Sequence, residues 1–352
     1  MWLIGALIVF AVCAGSAITL FPPLASALGM KVSVYSFSDW SSITMSGLAQ
    51  GSIYALIALG YTMVYGTLRM INFAHSEVFM GGPYTAYFVA AALNTSGFLD
   101  SQPIISLAII FAVSMGVSSG IAVLLERIAY RPLRGAPRLI PLITAIGASF
   151  FLQYVFRGLY GTGFQAYPEV KMLEGQWIFP TPLGELRMQI IQVVVIAAAA
   201  ALMAGLYLFI QRTRVGKAIR AVSEDKEAAA LMGIDMNRII VVTFIIGGLS
   251  AGAAGVLYAL IFKQVYFLMG FVPGIKAFTA AVLGGIGNIP GAMVGGIFLG
   301  LIESLGPSLF LNGLGIVAPY QLKDAIAFVM LVLVLIFRPT GIMGERLAVK
   351  KA

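Results

Sequence analysis

Residues 43–66, 103–125, 139–156, 188–211 and 239–262 each run without one charged side chain. Crossing about 30 Å of hydrocarbon takes about 20 predominantly apolar residues as helix, so each run is a candidate membrane crossing. The composition agrees: 60% of the 352 residues are hydrophobic and 10% charged, against about a quarter charged in soluble domains. A soluble two-domain enzyme has no surface to cover so much apolar matter. Disorder is excluded by the same apolar excess. A disulfide framework fails because Cys13 is the single cysteine.

The formal charge of +8 is informative through its placement. Arg127, Arg131, Arg134 and Arg138 crowd one segment between apolar runs. Arg212, Arg214, Lys217, Arg220, Lys226 and Arg238 crowd a second, and the tail from Arg338, with Lys350 and Lys351, forms a third. Positive segments stay cytoplasmic. That sets the alternation: the Lys/Arg-free loop 94–102 and the 157–187 loop lie outside, and 212–238 lies inside. A nucleic-acid surface is the poorer reading. The fold class expected is an all-α, polytopic transmembrane bundle of about eight to ten membrane helices, including broken or re-entrant segments. About nine crossings are expected after residue 40, or fewer if a broken piece is re-entrant, the last three near 276–289, 291–311 and 319–337. Residues 1–40 form either an extra helix or a signal-like segment, since Ala25-Ser26-Ala27 resembles a cleavage site; an uncleaved helix is slightly favoured. Residues 342–352 are a basic cytoplasmic tail.

Glycine is too frequent, at 40 residues, to be lipid-facing filler. Spacings at Gly47/Gly51, Gly116/Gly120, Gly248/Gly252, Gly291/Gly295 and Gly296/Gly300 suit close helix packing in lipid.

Two places set irregular backbone and polar groups inside apolar sequence. One is Arg69 to Glu77, with Gly81-Gly82-Pro83 after it; the other is Gly284 to Gly291. Non-helical backbone at membrane depth is tolerated only against protein or a water-filled cavity, and paired interruptions in two halves point to a translocation site. The candidate pathway residues are therefore Asn72, His75, Glu77, Gly284, Gly285, Asn288 and Pro290. No residue-by-residue repeat is evident. His75, the sole histidine, lacks the further ligands a metal needs; no metal or cofactor is expected. His75 and Glu77 are expected to hydrogen-bond within the break or near the interface with Arg69. Glu303 is either a helix-end group or a second pathway carboxylate.

Segment 212–238 reads as one short helix from Lys217 to Met232, ended by Gly233 in the left-handed conformation. A half-charged helix between crossings is a solvated connector or a plug for a groove on a partner.

These residues resemble the membrane permease subunits of bacterial branched-chain amino acid ABC importers, specifically the first of the two paired permeases. The resemblance rests on Gly60-Tyr61-Thr62-Met63-Val64-Tyr65-Gly66 with Ile71-Asn72-Phe73-Ala74-His75, on Glu126-Arg127-Ile128-Ala129-Tyr130-Arg131-Pro132, and on Lys276 to Gly287 with Ile289-Pro290-Gly291-Ala292. It covers about residues 43 to 341 and makes 41–341 a permease domain. Glu227-Ala228-Ala229 followed by Gly233 matches the family's E-A-A-x-x-x-G coupling helix, which implies ATPase docking through Glu224, Glu227, Ala228, Ala229 and Gly233. Ser76 and Pro83 depart from the usual pattern, and Pro83 is expected to stiffen or kink a helix start.

The resemblance implies a bacterial inner-membrane complex of two different permeases, two ATPases and a periplasmic binding protein. This chain has no G-x-x-x-x-G-K-[ST] loop and is not expected to hydrolyse ATP. An importer of urea or short amides is the near alternative. An ion-coupled secondary transporter using Glu77, His75 or Glu303 is the alternative of another class. No nucleophile–base pair or metal set suggests an intramembrane enzyme.

Overall fold

The computed structural model describes residues 12–20, 33–137, 139–182, 184–312, 314–316, 319–338 and 340–344. Its helices are α1 (residues 12–20), α2 (Phe37–Leu68), α3 (His75–Thr95), α4 (Phe98–Ser101), α5 (Pro103–Leu124), α6 (Leu139–Tyr160), α7 (Ile190–Arg212), α8 (Arg214–Glu224), α9 (Lys226–Leu231), α10 (Met236–Phe262), α11 (Phe271–Gly284), α12 (Ile289–Gly306) and α13 (Lys323–Phe337). Among the described residues, 7 helical stretches are long and apolar enough to cross a membrane. Beyond those seven lie the more polar α3 and the 14-residue α11, which is too short to span alone, where the sequence leads one to expect about nine crossings or fewer after residue 40. The only strands among the described residues form two small antiparallel pairings, β1 (Gln165–Ala166) with β4 (Gln264–Val265) and the hairpin β2 (Gln176–Thr181) with β3 (Gly184–Gln189).

The basic segments collect at one end. Arg134 donates to Asn237, Arg69 to the Ser223 carbonyl, and Lys226 to the Leu68 carbonyl. Glu126, fully buried, takes Arg131 and Arg134 in ion pairs and so anchors the 127–134 loop. The hairpin and the β1–β4 pairing mark the opposite end. By the positive-inside rule the first end faces the cytoplasm. Arg138, Lys350, Lys351 and Ala25-Ser26-Ala27 lie outside the described residues. Of the N-terminal segment, α1 rests by Gly15 on the Phe310 backbone.

Helices α2 and α10 are buried along most of their length, and α13 is the least buried. Without a hydrophobic drive between helices in lipid, small residues and side-chain hydrogen bonds set the contacts. Gly47 and Gly51 of α2 interlock with Gly296 and Gly300 of α12, so that a Cβ on Gly300 would lie 2.3 Å from Gly51 Cα. Gly248 and Gly252 of α10 meet α5, where Ser114 Oγ donates to the Gly252 carbonyl at 2.8 Å and Ser118 Oγ to that of Val78 at 2.7 Å. A Cβ on Gly116 or Gly120, expected to pack likewise, would meet no other helix within 4 Å; the packing face of α5 carries its serines instead. Pro83 does not mark a helix start. It lies within α3, its ring accommodated by Gly255 of α10.

Candidate functional site

Arg69 and Lys263 are the non-glycine residues with positive φ among those described, at 59° and 54°. Each ends a long helix, α2 and α10, in the left-handed conformation. After Arg69 the chain doubles back from the cytoplasmic end, so that the His75 ring lies level with Gly60. That glycine is eight residues up α2 from Leu68, or about 12 Å along the axis. A Cβ on Gly60 would be 2.1 Å from His75 Nε2. Tyr61 meets the ring edge-on, with centroids 4.9 Å apart. After Lys263 the chain doubles back from the opposite end, and α11 starts against α3. A Cβ on Gly274 would be 2.3 Å from Ser76 Cβ. The first turns of α3 and α11 thus touch inside the bundle, α3 running outward and α11 toward the cytoplasm.

Asn72, His75 and Glu77 are all buried, at one side of this meeting point. Glu77 Oε1 accepts from Ser76 Oγ, Ser149 Oγ and Gln153 Nε2, at 3.2, 3.0 and 2.8 Å. Tyr130 donates its hydroxyl to Asn72 Oδ1. Asn72 Nδ2, His75 Nε2 and Glu77 Oε2 have no hydrogen-bond partner. Of the two settings expected, Glu77 bonds within the break, to Ser76, and is otherwise satisfied by α6, whereas no bond to Arg69 forms, because Arg69 is drawn to Ser223 of α8. No group of three or more His, Cys, Asp or Glu could hold a metal among the described residues.

Gly284, Gly285, Asn288 and Pro290 are not brought to this point; a full length of α11 separates them from it. They form the cytoplasmic turn between α11 and α12. Asn288 caps α12 by accepting from Gly291 N at 2.9 Å and donates Nδ2 to the Met343 carbonyl at 2.9 Å. Gly284 lets α12 approach, since its Cβ would lie 2.0 Å from the Gly291 oxygen. Residues 341–344 cover the turn, with Ile342 N donating to Leu283 at 2.7 Å. The interruption that matches Arg69–Ala74 in the second half is 263–270, whose lack of Pro and of a Gly cluster hid it in the sequence.

The helix of Glu303 runs on past Gly306 as a π-helical turn to Leu311, so Glu303 is neither at a helix end nor alone. It is buried within α12 and accepts from Lys276 Nζ at 2.6 Å; the same ammonium reaches Asp324 of α13 at 2.6 Å. Tyr54 of α2 donates to Glu303 at 3.5 Å. The signal for Lys276 is its isolation: one lysine ahead of an uncharged run that ends at Glu303 demands a buried counter-ion.

At the cytoplasmic end the single helix expected from Lys217 to Met232 is two. Asp225 breaks it and caps α9, accepting from Glu227 N and Ala228 N at 2.9 and 3.0 Å. Gly233, φ +84°, stops α9 as expected, with Ile234 N donating to Ala229 and Gly233 N to Ala230. Ala229 is buried against Met63 and Ile219, whereas Glu224, Glu227 and Ala228 face out. Leu231 and Met232 are 89% and 83% exposed, an apolar tip at the end of α9. Lys226 reaches back to Leu68 at 3.3 Å; burial, then Arg69 and Arg134, hold its ammonium below the ordinary lysine range.

Residues 43–335 match the family described as branched-chain amino acid transport system, permease component. The chain is 47% identical over 302 residues, 86% of its length and 94% of the relative's, to the high-affinity branched-chain amino acid transport system permease protein BraD of Pseudomonas aeruginosa. It is 43% identical over 301 residues to the corresponding permease LivH of Salmonella typhimurium, and 42% to LivH of Escherichia coli strain K12, with 85% of this chain and 94% of each relative covered.

Proposed function

This chain belongs to the branched-chain amino acid transport permease family, and we propose that it is the multi-pass permease subunit through which an ABC importer moves branched-chain or other hydrophobic amino acids into the cytoplasm. Residues 41–341 are the permease unit, and residues 342–352 its cytoplasmic tail. The partners are a second, different permease, two ATPases and a periplasmic binding protein, and the ATPases supply the energy.

The observation that carries the reading is the α8–α9 segment. It presents Leu231 and Met232 to the cytoplasm, and it holds both sides of the chain reversal at Leu68 and Arg69 through Lys226 and Ser223. An exposed apolar tip on a short helix suits a groove on a partner. Displacing that tip pulls on the end of α2 and on the segment leading to Asn72, His75 and Glu77. Alternating access then arises from ATPase motion transmitted to two interrupted helices whose first turns touch, and Glu77 belongs to the moving contact.

Reconstitution with the partner subunits tests the reading. Leucine uptake that requires ATP and is lost on deleting residues 221–234 supports it. Uptake driven by a proton gradient without any ATPase overturns it, and uptake surviving that deletion overturns the coupling role. Competition by urea or acetamide in place of leucine identifies the amide importer.

A further inference from the structure

A cavity of about 320 Å³ opens at the extracytoplasmic end, between the 167–176 segment and the last turn of α10. It lies at the small end of the about 300–1,000 Å³ range of small-molecule sites. Val170, Leu173, Ile191 and Leu260 give it an aliphatic wall. Tyr167 also lines it.

The rim is charged and unbalanced. Lys263 pairs with Glu169 at 2.5 Å, and the nearby Lys171 is taken by Asp100. Glu174, which faces Glu169, is left without an ion pair among the described residues. The cavity's own charged groups, Glu169, Glu174 and Lys263, therefore sum to one net negative charge. A lysine ammonium has three donors, so Lys263 keeps some for a second carboxylate. The left-handed Lys263 is what brings this side chain to the rim, since it ends α10 and its carbonyl accepts from Tyr167 N at 2.9 Å.

We infer that this cavity is a receiving site for a small aliphatic amino acid as zwitterion, its ammonium met by Glu174, its carboxylate by Lys263, and its side chain by the aliphatic wall. The inference deepens the importer reading and rests on it for the substrate class. It makes the permease a binding partner of the substrate on the outer side, before the interrupted helices are reached.

The test is equilibrium binding of radiolabelled L-leucine to the assembled permease–ATPase complex in nanodiscs, without the binding protein. Saturable binding at millimolar leucine is expected, weakened about tenfold by Glu174→Gln, as a charge-assisted contact implies, and also weakened by Lys263→Gln. Leucinamide, which keeps the ammonium, competes, and 4-methylpentanoate, which lacks it, does not. Absence of saturable binding, binding unchanged by both variants, or equal competition by 4-methylpentanoate, the mark of a crevice for any apolar chain, overturns the site. ATP-dependent leucine uptake by the same complex with its binding protein is measured in parallel. Uptake without cavity binding overturns the site alone, and loss of uptake in the unaltered protein overturns the importer reading.

Discussion

His75 stands on Gly60: the ring occupies the space where any Cβ at position 60 would sit, 2.1 Å from Nε2. The contact locks the start of α3 to the middle of α2. Gly60→Ala is therefore an overpacking change, expected to cost about 1–3 kcal/mol. His75→Ala in the same chain recovers much of that loss, because the two sites are coupled. Thermal unfolding of the detergent-solubilised protein, for both single variants and the double, reads the coupling; additive losses would show that the ring is not what Gly60 makes room for.

Lys276 joins α11, α12 and α13 through Glu303 and Asp324. Removing one member of a buried pair leaves the other uncompensated, and Lys276→Met is expected to cost about 3–5 kcal/mol. Lys276→Met with Glu303→Leu loses less than Lys276→Met alone, since no unpaired buried carboxylate remains at 303. Unfolding midpoints in one detergent check the order, and a double variant less stable than the single contradicts the pairing.

Glu77 takes its three hydrogen bonds through one oxygen. Glu77→Gln keeps that acceptor and is expected to retain ATP-driven leucine uptake. Glu77→Leu strands Ser149 and Gln153 and costs about 1–3 kcal/mol. Loss of uptake in a stably folded Glu77→Gln protein would instead mark the carboxyl as a proton carrier and revive ion coupling.

Leu231 and Met232 bury little within this chain. Charged replacements there should change its stability by no more than about 0.5 kcal/mol while abolishing ATPase co-purification and uptake together. Co-purification unaffected by Leu231→Asp with Met232→Asp would place the ATPase contact elsewhere.

The Glu169–Lys263 pair at the cavity rim sets a pH window. The hydrogen bond from Lys263 holds the Glu169 carboxyl below its ordinary range, so its stabilising part is present above that range and lost as pH falls through the lowered value. The bond to Glu169 holds the Lys263 ammonium above its ordinary range, so its part is intact below that range and lost only as pH rises through the raised value. Leucine binding by the cavity is therefore expected to be flat between about pH 5 and pH 7 and to fall below about pH 4, where carboxylates protonate. Equilibrium binding across that range measures it, and a midpoint near pH 6 would implicate another group.

Uncharged runs and clustered arginines determined where the long apolar helices lie and which of their ends gather positive charge, because a bilayer enforces helix length and retains positive segments regardless of how helices meet. The Gly233 stop and the segment holding Asn72, His75 and Glu77 were equally legible, each being a local backbone requirement written in neighbouring residues. The meeting of α3 with α11, the assignment of Ser149 and Gln153 to Glu77, and the Lys276–Glu303–Asp324 cluster were decided only by tertiary structure. Their partners are tens to hundreds of residues apart, and a run of Gly and Ala states that helices approach closely without stating which. Gly116 and Gly120 carry the same spacing as Gly248 and Gly252, yet only the latter pair meets another helix. Spacing permits a contact, and the packing of the whole bundle chooses the face.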